Sequence, residues 1–399
     1  MDLYTEHALN HIRYLSQVIG GRGSCTPKVR EAGEYVSAEL RKAGVPKVGF
    51  ENFMGSPSTY LPFTMAFFAA AVGSLVVLIV GNRDYLLISA ILNLLGAWAM
   101  LAETDFAFHW GRLVLKKVPT QNVVGIIPPS GPVKRSAVLF AHLDTHRTPI
   151  FYSSTAWQNL FGFLVTATFL SMVAGFILFG VGAITGWTWM HWFGLLLLPI
   201  QGFTLYMMGT ADNTPHNPGA NDDASGVGAL IALAQRLKVE PLANTEVVLL
   251  FTDCEETASY GIQSFLNNHL AELGPEAVYV TLDEVALGII KYLNADGLII
   301  KHPTHPKALE LARKVSKALP DIKTIETVGL AYTDALPATM RGRIALTLCT
   351  VPEDASASSG YWHQMGDTID HIDPQTLENV QRFTWELLQE IDRSNPAGG

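Results

Sequence analysis

The chain has 399 residues, of which 49% are hydrophobic and only 16% are charged, and its formal net charge is −9. This balance is too apolar for an ordinary soluble domain of this length, and the acidic charge argues against nucleic acid as a partner. The three cysteines, Cys25, Cys254 and Cys349, are far apart in the sequence and odd in number. They predict neither a disulfide framework nor a cysteine-ligated zinc site.

The N-terminal part of the chain predicts two helices. Apolar residues recur at helical spacing over residues 5–20 and again over residues 27–40, and a glycine follows each run. Residues 1–7 contain neither a basic stretch nor an apolar run, so no secretory signal peptide is expected.

Four later runs are apolar and carry essentially no charge. Each is roughly 18 to 26 residues long, enough to span a hydrocarbon core of about 30 Å. Tryptophan and tyrosine residues lie mostly near their ends, as at a membrane interface. We therefore predict four transmembrane helices, paired as two inserted hairpins, in the runs 62–81, 85–102, 157–182 and 187–209.

The remaining segments alternate strands with helices, and their near-continuous apolar strands are typical of a sheet covered on both faces. The predicted fold class is α/β, a three-layer sandwich with a mixed, mostly parallel central sheet, plus the four transmembrane helices. The predicted strands are 122–128, 137–144, 246–252, 278–283, 289–293 and 344–350, and the predicted helices are 224–238, 258–270, 306–318 and 374–392. The predicted domains are one polar domain formed by 1–60, 104–156 and 210–399, a first hairpin at 61–103 and a second hairpin at 157–209.

Polar side chains gather where predicted strands end or helices begin, which is where ligands bind in open α/β sheets. His142 and Asp144 follow one apolar strand, and alternation places them on the same side. Asp144 is therefore placed to accept a proton from one ring nitrogen while the other nitrogen binds a metal. The further polar groups are Asp222-Asp223, Glu255-Glu256, Asp283, and His363 with Asp367.

Each of these groups alone has an ordinary explanation, since an Asp before a helix is usually a cap and adjacent Glu residues usually lie on the surface. Together, two histidines and three or more carboxylates form a hard N/O donor set. Such a set suits Zn, Mn or Co rather than a structural cysteine cage. The number of donors is sufficient for two metal ions that share one ligand.

With these motifs the sequence resembles the di-zinc aminopeptidases of the aminopeptidase Y type, peptidase family M28. The order and spacing of five motifs make the resemblance specific. It covers the polar segments and leaves the four apolar runs as insertions. A weaker match at Thr333-Asp334 departs from the family, which commonly has histidine where this chain has Ala335. The five motifs are A-H-L-D-T at 141–145, P-G-A-N-D-D-A-S-G at 218–226, C-E-E at 254–256, L-D at 282–283 and H-Q-M-G-D-T at 363–368.

The resemblance implies that the polar domain is a zinc peptidase catalytic domain that holds two zinc ions. Asp222 would bridge the ions, and Glu255 would be the general base that takes a proton from a metal-bridging water. Asp144 and Asp367 would orient the two histidines, Asp144 being grouped with Glu255 as a catalytic residue, and Asp223 would be a local hydrogen-bonding neighbour. The implied ligands are His142, Asp222 and Asp283 for one ion and Asp222, Glu256 and His363 for the other.

The predicted function is a membrane-integrated, zinc-dependent exopeptidase that hydrolyses an N-terminal peptide or amide bond. Three alternatives stay open: an N-acyl amino acid amidohydrolase, a single-zinc acyltransferase like the glutaminyl cyclases, and a catalytically silent membrane receptor or scaffold. Substrate-binding residues and the oligomeric state are not predicted.

The expected partners are a peptide or amide substrate and the lipid bilayer. The second hairpin is inserted between His142 and Asp222. Either the site opens toward the bilayer and takes amphipathic, hydrophobic or lipid-linked substrates, or the hairpins only anchor the enzyme. We expect a multi-pass protein with its catalytic domain on the cytoplasmic side, because neither a signal peptide nor a cystine framework is predicted.

Overall fold

A nine-stranded sheet lies at the centre of the segments that carry the sequence motifs. The computed structural model describes residues 2–353 and 360–394. The strands are β1 (Lys47–Gly55), β2 (Val118–Ile127), β3 (Arg135–His142), β4 (Thr245–Thr252), β5 (Val278–Leu282), β6 (Ile289–Asp296), β7 (His302–Pro303), β8 (Thr324–Val328) and β9 (Ile344–Val351). The helices are α1 (Leu3–Arg13), α2 (Pro27–Lys42), α3 (Leu61–Val80), α4 (Arg83–Thr104), α5 (Thr155–Thr185), α6 (Gly194–Ala211), α7 (Ala224–Val239), α8 (Tyr260–Leu273), α9 (Pro306–Ala318), α10 (Leu336–Met340) and α11 (Pro374–Arg393).

The sheet is mixed, with the strand order β1-β2-β4-β3-β5-β9-β6-β7 and β8 paired to β6. The central strands β4, β3, β5 and β9 are parallel, and β8 is parallel to β6. The other four pairings are antiparallel. The prediction of a mixed sheet is confirmed, but a mostly parallel sheet is found only at the centre. An apolar run marks a strand without showing its direction, so the sequence did not reveal the antiparallel flanks.

Two separate hydrophobic clusters cover the faces of this sheet, because successive side chains of a strand point to opposite sides. On β3, Leu139 and Ala141 belong to the cluster that contains α1, α2, α7, α9 and α11. Val138 and Phe140 belong to a smaller cluster with residues of α8 and α10. Helices therefore pack on both faces, as the three-layer prediction requires.

Most predicted elements are present, with boundaries that differ by a few residues. The first predicted helix is α1 followed by a π-helix at Tyr14–Ile19, and it stops at Gly20. Four elements were not predicted: β1, β7, β8 and α10. They are short, or, like β1 and β8, alternate exposed and half-buried residues without an apolar run.

The chain divides into two units. Unit 1 comprises Met1–Pro57, Lys117–Arg147 and Pro215–Gly399, and unit 2 comprises Ser58–Lys116 and Thr148–Thr214. The segments 104–116 and 148–156, assigned to the polar domain from the sequence, thus lie in unit 2. The interpretation of the units as a catalytic domain and membrane hairpins stays a prediction.

Unit 2 contains the four apolar runs, and each of them is helical. Its four candidate membrane spans are Leu61–Val80, Arg83–Thr104, Thr155–Thr185 and Thr188–Ala211, with mean hydropathies of 2.5, 1.9, 2.2 and 1.3. Buried amides and hydroxyls join the helices to one another: Gln201 Nε2 donates to Asn93 Oδ1 (3.0 Å) and to Ser171 Oγ (3.1 Å). By length and composition these helices are able to cross a membrane.

Candidate metal centre

Asp222 lies between two histidines that are distant in the sequence. Its Oδ1 is 3.1 Å from Nε2 of His142, the last residue of β3, and its Oδ2 is 3.4 Å from Nε2 of His363. All three side chains are buried. The structure therefore brings together the predicted bridging carboxylate and both predicted histidine ligands.

The other two predicted ligands each lie near one of these histidines. Asp283, which follows β5, has its Oδ1 3.7 Å from His142 Nε2, and Glu256 Oε2 is 3.6 Å from His363 Nε2. Zinc bonds of about 2.0–2.1 Å in a tetrahedral site place neighbouring donor atoms about 3.3 Å apart. The observed separations of donor atoms are close to that value.

A third histidine, His146, was not among the predicted site residues. Its Nε2 is 3.8 Å from Glu256 Oε2, and its ring stacks on that of His363 with centroids 3.5 Å apart. Its Nδ1 is 2.6 Å from the main-chain oxygen of Arg147, so Nδ1 carries the proton and donates. The spacing H-x-D-x-H over residues 142–146 was the available signal, since it continues the alternation already noted for His142 and Asp144.

The structure changes the predicted contact of Asp144. Its main-chain oxygen is 2.9 Å from His142 Nδ1, whereas its carboxylate is 3.7 Å away, too far for a hydrogen bond. The carboxylate instead accepts the main-chain N–H groups of Glu255 and Glu256, each at 3.2 Å, and the Ser24 hydroxyl at 2.6 Å. The main-chain oxygen of Asp144 thus takes the place beside the ring that was predicted for its carboxylate. Asp144 thus positions the Glu255-Glu256 segment.

Asp223 and Asp367 likewise hold main-chain N–H groups. The carboxylate of Asp223 accepts from His142 (3.1 Å) and from Gly226 in the first turn of α7 (3.0 Å), as predicted for a local hydrogen-bonding neighbour. The carboxylate of Asp367 accepts from Asn221 (2.7 Å) and Asp222 (3.1 Å). These contacts hold Asp367 against the loop that carries Asp222. The predicted role of Asp367 in orienting His363 stays a prediction.

Arg22 is a fully buried cation that the sequence analysis did not single out. Its guanidinium donates to main-chain oxygens of Leu143 (2.9 Å), Pro218 (2.8 Å) and Gly219 (3.0 Å). Burial lowers the pKa of Arg22 to about 10, although nearby carboxylates oppose this shift. Arg22 thus joins the ends of the two motif loops, at 141–145 and 218–226.

The surroundings of Gly219 explain why the motif at 218–226 has a glycine at this position. Its φ is +60°, and a Cβ atom there would lie 2.3 Å from the Thr145 side chain and 2.5 Å from the main-chain oxygen of Asp222. Both the left-handed backbone and the lack of space favour glycine. The loop can therefore place Asp222 against His142.

The charge balance of the site favours a bound cation. Burial raises the pKa of Glu255 and Glu256 well above the usual range for a glutamate, and other carboxylates raise it further. Burial also acts to raise the pKa of Asp222, but the adjacent rings of His142 and His363 lower it on balance. Oδ2 of Asp222 is buried and, among the described residues, has no hydrogen-bond partner. A divalent cation among these donors would offset the cost of burying several carboxylates together.

The general base predicted from the sequence, Glu255, is buried at the same place. Its main-chain N–H is held by Asp144, and its main-chain oxygen accepts from Ser259 N (3.0 Å). Asp334, from the weakly matching loop, is near enough to raise the pKa of Glu255. Burial raises the pKa of Asp334 itself to about 7.

Part of the chain is similar in sequence to a known protein family. Residues 201–388 match the sequence model of Peptidase family M28. A search among curated protein sequences found no match.

Solved structures show the same fold at low sequence identity. A zinc aminopeptidase from Bacillus subtilis is 14% identical, with a TM-score of 0.59 over 97% of this chain and 95% of the other. An aminopeptidase from Aneurinibacillus sp. strain AM-1 is 14% identical, with a TM-score of 0.58 over 96% and 93%. A glutaminyl cyclase from an Acidobacteriales bacterium is also 14% identical, with a TM-score of 0.58 over 98% and 96%. The sequence match is thus to a peptidase family, and the structural matches show that the chain shares the fold of these enzymes.

Proposed function

We propose that the chain is a membrane-integrated, zinc-dependent exopeptidase that hydrolyses the N-terminal peptide bond of its substrate. The observation that carries this proposal is Asp222, whose two carboxylate oxygens face the histidines His142 and His363 separately. A carboxylate in that position is able to share its oxygens between two ions. The M28 match of residues 201–388 supports the same reaction class.

The described residues fit two zinc ions. One set of donors is His142, Asp222 and Asp283, and the other is Asp222, Glu256 and His363. The ring of His146 lies beside the second set, with Nε2 directed at Glu256. Nitrogen and carboxylate donors without a thiolate are typical of catalytic rather than structural zinc.

In the proposed reaction, Glu255 takes a proton from the attacking water and returns it to the leaving amine. When bound, the zinc ions would lower the pKa of that water and stabilise negative charge on the carbonyl oxygen. Asp144 fixes the main chain of Glu255 and Glu256 through two hydrogen bonds, so the two side chains keep separate positions. The raised pKa of Glu255 suits a group that must hold a proton between the two steps.

A panel of substrates tests this proposal. The full chain, purified in detergent with zinc, is given a peptide with a free N-terminus, an N-acyl amino acid and a peptide with N-terminal glutamine. Release of the first amino acid, with about two zinc ions per chain, is the expected result. Hydrolysis of the N-acyl amino acid alone would move the function to an amidohydrolase.

A glutaminyl cyclase-like acyltransferase is the second candidate, because a glutaminyl cyclase structure matches with a TM-score of 0.58, equal to that of an aminopeptidase. This reading predicts one zinc ion per chain and cyclisation of N-terminal glutamine without release of an amino acid. A silent receptor or scaffold predicts neither reaction. The predicted ligands are all present, which favours an enzyme.

We also propose that unit 1 is the catalytic domain and that the helices of unit 2 form two membrane hairpins. Besides their length, these helices expose large apolar side chains to the surroundings, including Ile79, Leu87, Phe163, Ile184 and Leu196. A surface of this kind is suited to lipid. Resistance of the protein to extraction from membranes at alkaline pH is the expected result, and complete extraction without detergent would contradict it.

The chain leaves unit 1 at Arg147 and re-enters it at Pro215. These two points are held together, because Arg147 pairs with His216 and the N–H of Asn217 donates to the main-chain oxygen of His146 at 2.9 Å. Both ends of the second insertion are therefore attached beside a residue of the site. This supports hydrophobic or lipid-linked substrates. The proposed cytoplasmic side of the catalytic domain rests on the sequence alone. Protease digestion of unit 1 in sealed vesicles of known orientation checks the side.

A further inference from the structure

Two cysteines that are 229 positions apart in the sequence meet beside the metal centre. Sγ of Cys25 is 3.3 Å from Sγ of Cys254. Cys254 is fully buried and Cys25 is partly exposed, so oxidants can reach the pair from the side of Cys25. The third cysteine, Cys349, is buried in β9. This pair was not predicted, because sequence spacing alone does not show which cysteines meet.

One carboxylate fixes the main chain of both cysteines. Asp253 accepts the N–H of Cys25 at 3.1 Å and the N–H of Cys254 at 2.7 Å. The main chain of both cysteines is left-handed, with φ of 59° and 65°. Across from them, a Cβ atom on Gly55 would lie 2.6 Å and 2.8 Å from the two sulfur atoms. The sulfur atoms thus face each other in a space that has no room for another side chain.

The separation of the sulfur atoms distinguishes two uses of such a pair. Thiolates that share a tetrahedral zinc ion, with bonds of about 2.3 Å, would be about 3.8 Å apart. In a disulfide the distance is about 2.05 Å. The observed 3.3 Å is shorter than the zinc geometry requires. Asp253 is the nearest further side chain that could bind a metal ion together with the two cysteines. Both of its oxygens already accept hydrogen bonds. A dithiol is therefore favoured over a third metal site.

The pair joins two segments that hold the proposed catalytic glutamates. Cys254 directly precedes Glu255. Cys25 directly follows Ser24, whose hydroxyl donates to the Asp144 carboxylate that holds the main chain of Glu255 and Glu256. A covalent link between the cysteines would therefore act on the segment that carries both glutamates.

We infer that Cys25 and Cys254 are a reversible disulfide site, which closes under a peroxide oxidant and slows turnover at the adjacent metal centre. The sulfur of Cys25 attacks the peroxide oxygen, and the O–O bond breaks to give a sulfenic acid and water. The sulfur of Cys254 then attacks the sulfenic sulfur, and a second water leaves as the S–S bond forms. Overall, two thiols and one hydrogen peroxide give one disulfide and two waters. A dithiol reductant reverses the change.

The effect on turnover rests on the proposed function, whereas formation of the bond does not. Closing the bond brings the sulfur atoms more than 1 Å closer, and a misplacement of about 1 Å in a catalytic group can cost about 10²-fold in rate. We therefore expect peptide hydrolysis to fall at least about tenfold on oxidation and to recover with dithiothreitol.

The experiment treats the full chain in detergent with hydrogen peroxide, blocks the remaining thiols and maps the peptides by mass spectrometry. A linked Cys25–Cys254 peptide that disappears with dithiothreitol is expected in the wild type. Cys25→Ser should give no linked peptide and lose the sensitivity to peroxide, whereas the matched variant Cys349→Ser should behave like the wild type. If Cys25→Ser does not fold, Cys25→Ala replaces it, with the same expected results.

Three results would overturn the inference. They are the absence of the linked peptide in oxidised protein, a linked peptide without loss of turnover, and a metal ion beyond the proposed two that is lost in Cys25→Ser. Glu255→Gln separates the two proposals, because it should still form the link although it hydrolyses nothing. If the wild type forms the link but shows no peptidase activity, the proposed function fails and the disulfide site stands.

Discussion

The two units bury polar groups in opposite ways. In unit 1, carboxylates of Asp222, Glu255 and Glu256 are buried together at the ends of the parallel strands. In unit 2, the buried polar groups are mainly neutral, such as the amides of Asn93 and Gln201, which bond to each other. Neutral amides satisfy one another without an added ion, whereas a group of buried carboxylates requires a cation. The contrast shows which buried polar groups serve chemistry and which serve helix packing.

Unit 2 also contains a buried carboxylate, and its partners are side chains of the same unit. Glu103, at the end of α4, lies 2.6 Å from Nε2 of His109 and 2.8 Å from Nε of Arg112. Here the carboxylate meets the Arg112 guanidinium and the His109 ring within the unit. A buried acid is therefore a sign of a metal site only where the cations are too few.

The largest expected effect is that of Glu255→Gln. It removes the proposed general base but keeps its shape, so the rate of peptide hydrolysis should fall about 10³-fold. Zinc content should not change, because Glu255 is not among the proposed ligands. Elemental analysis and a kinetic assay check both. Full activity in this variant would contradict the role of Glu255.

Arg22→Met should have the largest effect on stability in unit 1. The substitution leaves the main-chain oxygens of Leu143, Pro218 and Gly219 without their buried donor. We expect the free energy of unfolding to fall by about 3 kcal/mol, measured by denaturant titration in detergent. The matched variant Arg13→Met, on an exposed side chain, should change it by less than about 0.5 kcal/mol. Equal effects would contradict the role of Arg22.

The lowered pKa of His11 predicts how the stability of unit 1 depends on pH. Burial lowers the pKa of His11 to about 4 from its ordinary 6.5, so the unfolded chain takes up a proton before the folded chain does. Stability is therefore full above pH 6.5 and is lost as the pH falls toward 4. Between pH 7 and pH 5 the wild type should lose about 2 kcal/mol more than His11→Phe. Parallel pH curves for the two proteins would contradict this shift.

Gln201→Leu tests the neutral network of unit 2 and has the smallest expected effect. The substitution removes the two hydrogen bonds to Asn93 and Ser171, and such bonds between apolar helices contribute about 0.6 to 1.7 kcal/mol. Thermal unfolding in detergent should show a loss in this range, with zinc content unchanged. Thr166→Val, at an exposed position of α5, is the control. A loss of zinc in Gln201→Leu would break the contrast between the units.

The sequence predicted those parts of the fold that are marked by composition. Continuous apolar stretches indicated β3, β4 and β9, and length without charge indicated the helices of unit 2. It did not predict β1 and β8, since strands with half-exposed, mixed residues are set by their partners. The direction of the flanking strands was missed for the same reason.

The site was predictable where residues of a motif are adjacent. Asp222 and Glu256 were found because a turn or a strand end precedes them, and their spacing resembles a known family. Arg22 and the contact of Cys25 with Cys254 were not found, because they depend on segments that meet only in the folded chain. His146 was within reach, since it lies two residues after Asp144.

The carboxylates that hold main-chain N–H groups have a consequence for mutational scanning. Asp144, Asp223 and Asp367 are not among the proposed ligands, yet each fixes a segment that carries one. In a screen scored only by activity, alanine at these positions would look the same as alanine at a ligand. An asparagine turned toward the same N–H groups keeps one acceptor oxygen but presents an NH₂ group in place of the other. The number of inactive positions in such a screen would therefore overstate how many side chains touch the metal.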